Sequence, residues 1–345
     1  MRAAVFYAPN NIEIKDVEFK LGQTEVALKV KACAVCGYDT RVYRNGHRKV
    51  KPPVILGHEI CGETLEEIKT PLGILKPGIR IAVSPIIPCL SCSNCKEQQY
   101  NVCNNLKEIG STVDGGFAEY IKIPPEIIKI GGLIPVPDNL SNQEAALLEP
   151  LACCLNGLSR FGKIDKEKYM LVVGDGPIGL LHLQLSKILY RSKTIVIGKI
   201  PFRMQKAKSM GADAVFQFDT NTEENVMNFT KGEGVNRIII ATNNSEIFPF
   251  VKKVANKNSK INFFSGFSAG NTFEVDPNWL HYNQVSLFGS FSSTPNMLQK
   301  AAKLASDGEI DLSQIVTEKC SLDQIEHAIS YTEEFHGLRT IIDRF

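Results

Sequence analysis

The stretch that most limits the fold is Tyr169-Met-Leu-Val-Val, followed at once by Gly174-Asp-Gly176-Pro177-Ile178-Gly179. A continuous apolar run of this kind reads as a strand buried on both faces, as in a parallel sheet. Beyond the glycines, Ile178, Leu181, Leu185 and Leu189 recur at helical spacing,. Thr194-Ile-Val-Ile reads as the next strand, and further strands at 236–241 and 260–264 alternate with helical stretches. Strand, glycine turn, helix and strand form the βαβ unit in which GxGxxG carries weight. The glycines let backbone approach a pyrophosphate, and the helix N-terminus offers free N–H groups and its dipole. The competing account is a glycine-rich turn with no ligand. The pattern predicts an α/β chain with a doubly wound parallel sheet over residues 151–285.

At 345 residues the chain exceeds what one compact core usually holds, so two domains are expected,. Upstream, Ala3-Ala-Val-Phe, Ile12-Glu-Ile and Glu25-Val-Ala-Leu-Lys-Val-Lys-Ala alternate with period two. Turn residues separate them, so residues 1–150 read as β-rich and irregular. Gly115-Gly-Phe-Ala-Glu-Tyr is a turn feeding a strand. From Val285-Ser-Leu-Phe onward, strand, two helices (296–306 and 321–333) and a last strand at Leu338-Arg-Thr-Ile-Ile are expected to rejoin the first domain. The expected division is thus 1–150 with 286–345, and 151–285.

A net charge of +2 supplies no electrostatic reason to bind nucleic acid or an anionic membrane,. No apolar run approaches a bilayer span, and Met1-Arg-Ala-Ala-Val-Phe-Tyr has the pattern of a first strand, not of a signal peptide,. A cytoplasmic protein is expected, in which ten cysteines are metal ligands or buried apolar residues rather than disulfides,. Cys89, Cys92, Cys95 and Cys103 are spaced x2, x2, x7. Short gaps let three sulfurs face one ion, and a polar lobe returns the fourth. Four thiolates fill a tetrahedron and leave no open position, which describes structural zinc. An iron–sulfur cluster is the competitor, and the seven-residue return favours zinc.

A second constellation is Gly57-His58-Glu59, with Cys36 upstream and Glu149 in the apolar run Ala145-Ala-Leu-Leu-Glu-Pro. A thiolate, an imidazole and a carboxylate meeting at one point would bind zinc and leave a coordination position open. Alone, a His beside an acid is as readily a surface turn or a hydrogen-bonded core pair.

Taken together, Cys36-Gly37, Gly57-His58-Glu59 with Gly62, the four-cysteine lobe, Gly115-Gly-Phe-Ala-Glu-Tyr, Glu149-Pro150 and the glycine motif resemble, in order, the zinc-containing medium-chain alcohol/polyol dehydrogenase family. The resemblance covers essentially the whole chain, and it lies with the sorbitol- and threonine-dehydrogenase-like branch. It implies a β-rich GroES-like catalytic domain and a Rossmann domain, with the reaction in the cleft between them. It implies Cys36, His58 and Glu149 as ligands of a catalytic zinc. Glu59 would stand behind them or exchange onto the metal, and Asp39 would orient His58. Family members are homodimers or homotetramers.

The implied reaction passes a hydride between a nicotinamide and the carbinol carbon of an alcohol, polyol or sugar. A threonine-type amino alcohol is the neighbouring alternative, and a soluble protein keeping the fold without catalysis is the alternative of another class. Glu149-Pro150 favours polyol-type relatives, but Ser292 stands where sorbitol dehydrogenases carry Arg. Tyr38 departs from the Ser or Thr that passes the alcohol proton outward, so it either relays the proton as a phenol or narrows the pocket. Arg41 stands where many relatives have a His further along that relay. At the end of the second Rossmann strand, Gly198 replaces the acid that takes ribose hydroxyls. Lys199 and Arg203 follow and favour NADP over NAD,.

Overall fold

A computed structural model describes residues 1–162, 169–267 and 270–345. The chain separates into two units, Met1–Cys153 with Ser292–Phe345, and Cys154–Phe291. The helix Leu148–Ser159 contains one boundary.

The first unit is built on a seven-stranded sheet. Its main path runs Leu133–Pro135, Arg80–Val83, Glu59–Thr64, Val26–Val35, Arg339–Arg344, Val316–Ser321, and Tyr120–Ile123 also pairs with Val26–Val35. The alternating segment from Val26 forms the long central strand because its apolar positions face a core of Leu28, Val30, Ile60, Phe117, Ile121 and Ile342. Register decides where chemistry goes. Ala34 pairs with Glu59 on one side and with Ile341 on the other, and Val35 pairs with Thr340. One end of the sheet therefore gathers Cys36, the His58-Glu59 segment and Arg339, which are far apart in sequence.

The second unit is a six-stranded parallel sheet in the order Ala214–Gln217, Lys193–Gly198, Tyr169–Val173, Val235–Ile240, Ala255–Phe263, Ser286–Gly289. That is the doubly wound order expected, with the strand order reversing at Tyr169–Val173,. Leu171, Val173, Ile195, Ile197, Ile238, Ile240 and Ile261 fill the core. The segment after Val285 corrects one expectation. Ser286–Gly289 does not rejoin the first unit; it pairs in parallel with Ala255–Phe263 as the edge strand of the second. An apolar tetrapeptide states that it is a strand, not which sheet edge it completes.

Among the described residues, no helix is long and apolar enough to cross a membrane.

Candidate active site

Cys36 ends the central strand and caps the helix Gly37–Asn45, its sulfur accepting from the Tyr38 N–H at 3.2 Å. Asp39, fully buried, divides its carboxylate between two backbone donors: Oδ2 accepts from Cys36 N–H at 2.9 Å and Oδ1 from Gly57 N–H at 3.3 Å. His58 Nδ1 lies 3.7 Å from Oδ1, an electrostatic contact longer than a hydrogen bond,. Asp39 thus acts on the segments that carry Cys36 and His58 through their main chain. The loop carrying His58 is held from its other side by Gly115, Gly116 and Phe117, whose N–H groups donate to Ile55, Gly57 and Leu56 carbonyls.

The result is compact. Cys36 Sγ is 3.5 Å from His58 Nε2, and the donor atoms of Cys36, His58 and Glu59 all lie within 4.8 Å of one another. Glu59 Oε1 pairs with Arg339 Nη2 at 2.8 Å, while Glu59 Oε2 is buried with no hydrogen-bond partner among the described residues. A buried orphan oxygen beside a thiol and an imidazole is what a metal-binding socket presents before its ion. Glu149 stands outside that 4.8 Å group, in the first turn of Leu148–Ser159. Its carboxylate is 6% exposed, accepts from the Cys153 thiol at 3.1 Å, and feels the charge of His58.

Burial dominates the electrostatics. It pushes the Cys36 thiol up and raises Glu149. It lifts Glu59 to about 7 against the opposing pull of Arg339. It also opposes charge on His58, yet the facing Cys36 and Asp39 win and hold that imidazole well above its usual value. Arg339 is drawn upward, with burial outweighed by Glu59.

Tyr38 packs edge-on against His58, with ring centres 5.7 Å apart. Its hydroxyl is 2.8 Å from Ser111 Oγ and 3.5 Å from His47 Nδ1. Burial pushes the phenol up to about 12. The Tyr38 hydroxyl is therefore turned towards His47 and not towards His58. By sequence position the resemblance points to Arg41, not to His47, for the place further along the relay.

The four-cysteine lobe is assembled as its spacing required. Sγ separations are 3.5 Å for Cys92–Cys95, 3.9 Å for Cys92–Cys103 and 4.0 Å for Cys89–Cys95, and all four sulfurs fall within 4.8 Å. Four sulfurs at tetrahedral zinc distances would be about 3.8 Å apart. Backbone N–H groups of Cys89 and Asn105 point at Cys103 Sγ, and the Ser91 hydroxyl and backbone hold Cys89 down at about 5. The donors thus fit a closed zinc site.

In the second unit, Gly176 caps the helix Pro177–Tyr190 with Pro177 in its first turn,. A Cβ on Gly179 would come within 1.9 Å of the Gly174 carbonyl, so only glycine lets the helix start this close to the strand. That is the cradle a pyrophosphate needs. Ile178 lies in the first helical turn, Gly198 ends the second strand, and Lys199 and Arg203 follow. Four residues of consequence escaped the sequence pattern: Arg339, Ser111, Cys153 and Asp175. His182 is buried beside Phe264 without a hydrogen-bond partner among the described residues, and burial takes it down to about 3, a neutral packing residue.

Comparison with known proteins agrees with both units. Residues 22–138 match the alcohol dehydrogenase GroES-like domain, and residues 177–307 match the zinc-binding dehydrogenase domain. A sorbitol dehydrogenase of Halalkalibacterium halodurans is 30% identical, the match covering 93% of this chain and 93% of that protein. A zinc-binding dehydrogenase of Sinorhizobium meliloti 1021, solved bound to NADP, superposes with a TM-score of 0.88 at 27% identity over 99% of this chain and 98% of that one. An alcohol dehydrogenase, RspB, of Escherichia coli CFT073, solved with NADH, gives 0.89 at 28% identity over 99% of both.

Proposed function

This chain belongs to the zinc-containing medium-chain alcohol/polyol dehydrogenase family, and from that premise we propose that Cys36, His58 and Glu149 hold its catalytic zinc, with Glu59 in reach of the same ion. The enzyme is a zinc-dependent oxidoreductase of the nicotinamide type. The observation that carries Cys36 and His58 is their convergence with Glu59 at one end of the sheet; Glu149 rests on its family position and on its burial within reach of the charge of His58. Cys89, Cys92, Cys95 and Cys103 hold a second, structural zinc. Gly174, Gly176, Pro177, Ile178 and Gly179 cradle the dinucleotide phosphates.

Bound zinc supplies a Lewis acid that polarises the substrate oxygen, and the nicotinamide supplies the hydride acceptor. The chain's own part is positioning and proton handling. Asp39 keeps Cys36 and His58 in register through the main chain. Arg339 pairs with one oxygen of Glu59 and leaves the other buried and unclaimed by a hydrogen bond among the described residues. The Tyr38 hydroxyl offers a proton leaving the substrate a path to Ser111 or His47. The substrate is a small polyol or sugar alcohol. Glu149-Pro150 and the sorbitol dehydrogenase relative support this over an amino alcohol. Lys199 and Arg203 favour NADP on charge, while the nearby carboxylate of Asp175 weighs against it. A cytoplasmic homodimer or homotetramer completes the proposal.

The test is metal analysis of the purified protein, with a screen of polyols, sugars, secondary alcohols and amino alcohols for nicotinamide reduction. Two zincs per chain and turnover of a polyol are expected. A fully folded chain with no zinc, or turnover of amino alcohols alone, overturns the proposal.

A further inference from the structure

The glycine loop of the second unit contains an acid, Asp175, between Gly174 and Gly176. Its side chain is 8% exposed and turned across the end of the neighbouring strand Lys193–Gly198. Oδ2 accepts from the backbone N–H of Lys199 and of Ile200, each at 2.8 Å. A Cβ on residue 198 would stand 2.4 Å from that oxygen and 2.7 Å from Asp175 Cβ. Asp175 can therefore lie there only because position 198 is glycine. The two positions are complementary: the carboxylate absent from the strand end is delivered to it from the loop next door.

The cations nearby are placed differently from what charge along the sequence suggests. The Lys199 ammonium lies 5.5 Å above the Phe218 ring. Arg203 is 5% exposed, with Nη1 3.8 Å from where a Cβ on Gly176 would be. Both flank the site, but Asp175 occupies its floor.

We infer that Asp175 reads the adenosine ribose and makes this enzyme select NAD over NADP. This rests on reading the glycine loop as the dinucleotide site. The strand end after the second strand is where such sheets recognise the 2′ position. A 2′-hydroxyl can donate to the Asp175 carboxylate. A 2′-phosphate can only accept there, and the two backbone donors it would need are already committed to Asp175. Its charge would also be held against a buried like charge, a repulsive element of the kind that sets specificity.

Calorimetric titration of the zinc-loaded protein with NADH and with NADPH tests this. Wild type is expected to bind NADH at least about tenfold tighter, the least a like-charge contact should contribute. In Asp175→Ala the ratio should collapse or invert, with NADPH gaining. A second measurement needs no variant: 5′-AMP should displace NADH from wild type better than adenosine 2′,5′-bisphosphate. Equal or tighter NADPH binding by wild type, stronger competition by the bisphosphate, or an unchanged ratio in folded Asp175→Ala overturns the assignment. If wild type binds neither dinucleotide, the dinucleotide reading of the loop falls, and this assignment falls with it.

Discussion

Glu59 and Arg339 form a buried ion pair, Oε1 to Nη2 at 2.8 Å, between residues at opposite ends of the chain. The pair exists because the central strand Val26–Val35 takes Glu59–Thr64 on one side and Arg339–Arg344 on the other. Removing one partner leaves the other charge buried, and such changes are destabilising by about 3–5 kcal/mol. Arg339→Met should therefore lower the unfolding free energy of the zinc-loaded protein, read from its denaturant titration, by an amount in that range. Glu59→Gln combined with Arg339→Met should recover part of the loss. A single variant as stable as wild type would show that the pair bears no weight.

The two metal centres should be separable. Cys36→Ser is expected to remove one zinc equivalent per chain and to reduce turnover by more than the about 10–100-fold typical of losing an outer-sphere partner. Cys89→Ser should remove the other equivalent. Because the 89–103 lobe is polar and mostly exposed, it should then become the first site of limited proteolysis,. Metal analysis beside kinetics and digestion mapping checks both.

Zinc loading should release protons. In the metal-free chain, burial holds Cys36 above its ordinary value and lifts Glu59 to about 7, and His58, facing Cys36 and Asp39, is raised in spite of its burial, so that Cys36 and His58 share a proton between them. Each raised group binds its proton until pH climbs past the raised value, and a ligand must lose that proton to take the ion. Affinity for zinc should thus rise with pH through neutrality and weaken on acidification. Calorimetry in buffers of different ionisation enthalpy measures the proton count; a count of zero would contradict it.

Tyr38→Phe removes the hydroxyl bonded to Ser111 while keeping the ring against His58. A phenol pushed up to about 12 does not ionise in the working range, so any relay must pass through it as a neutral hydroxyl. Turnover should drop by at least about tenfold, within or below the usual range for lost proton-transfer assistance, and the pH–rate profile should change shape. An unaltered profile would leave Tyr38 as a wall of the pocket only.

What could be read in advance was whatever is encoded locally. The Cys89–Cys103 spacing, the His58-Glu59 step and the glycine turn are short-range patterns whose geometry follows from their own few residues. Arg339 was invisible because its partner is set by strand register across nearly the whole chain. Asp175 is hidden for a subtler reason: an acid for the ribose is expected at the end of the second strand, and the sequence has Gly198 there,. The side chain arrives instead from the adjoining strand's loop. The edge strand Ser286–Gly289 was recognised as a strand and assigned to the wrong unit, since nothing in Ser-Leu-Phe-Gly names a neighbour.

The double grip of Asp39 on Cys36 and Gly57 has a consequence for how the enzyme survives in use. The anchorage of the ligand loops is made of peptide hydrogen bonds, not of bonds to an ion. An ion lost to a chelator, or replaced by a wrong one, would leave the anchored loops standing. Repair then requires only exchange at a preformed seat, with no refolding of the protein around it.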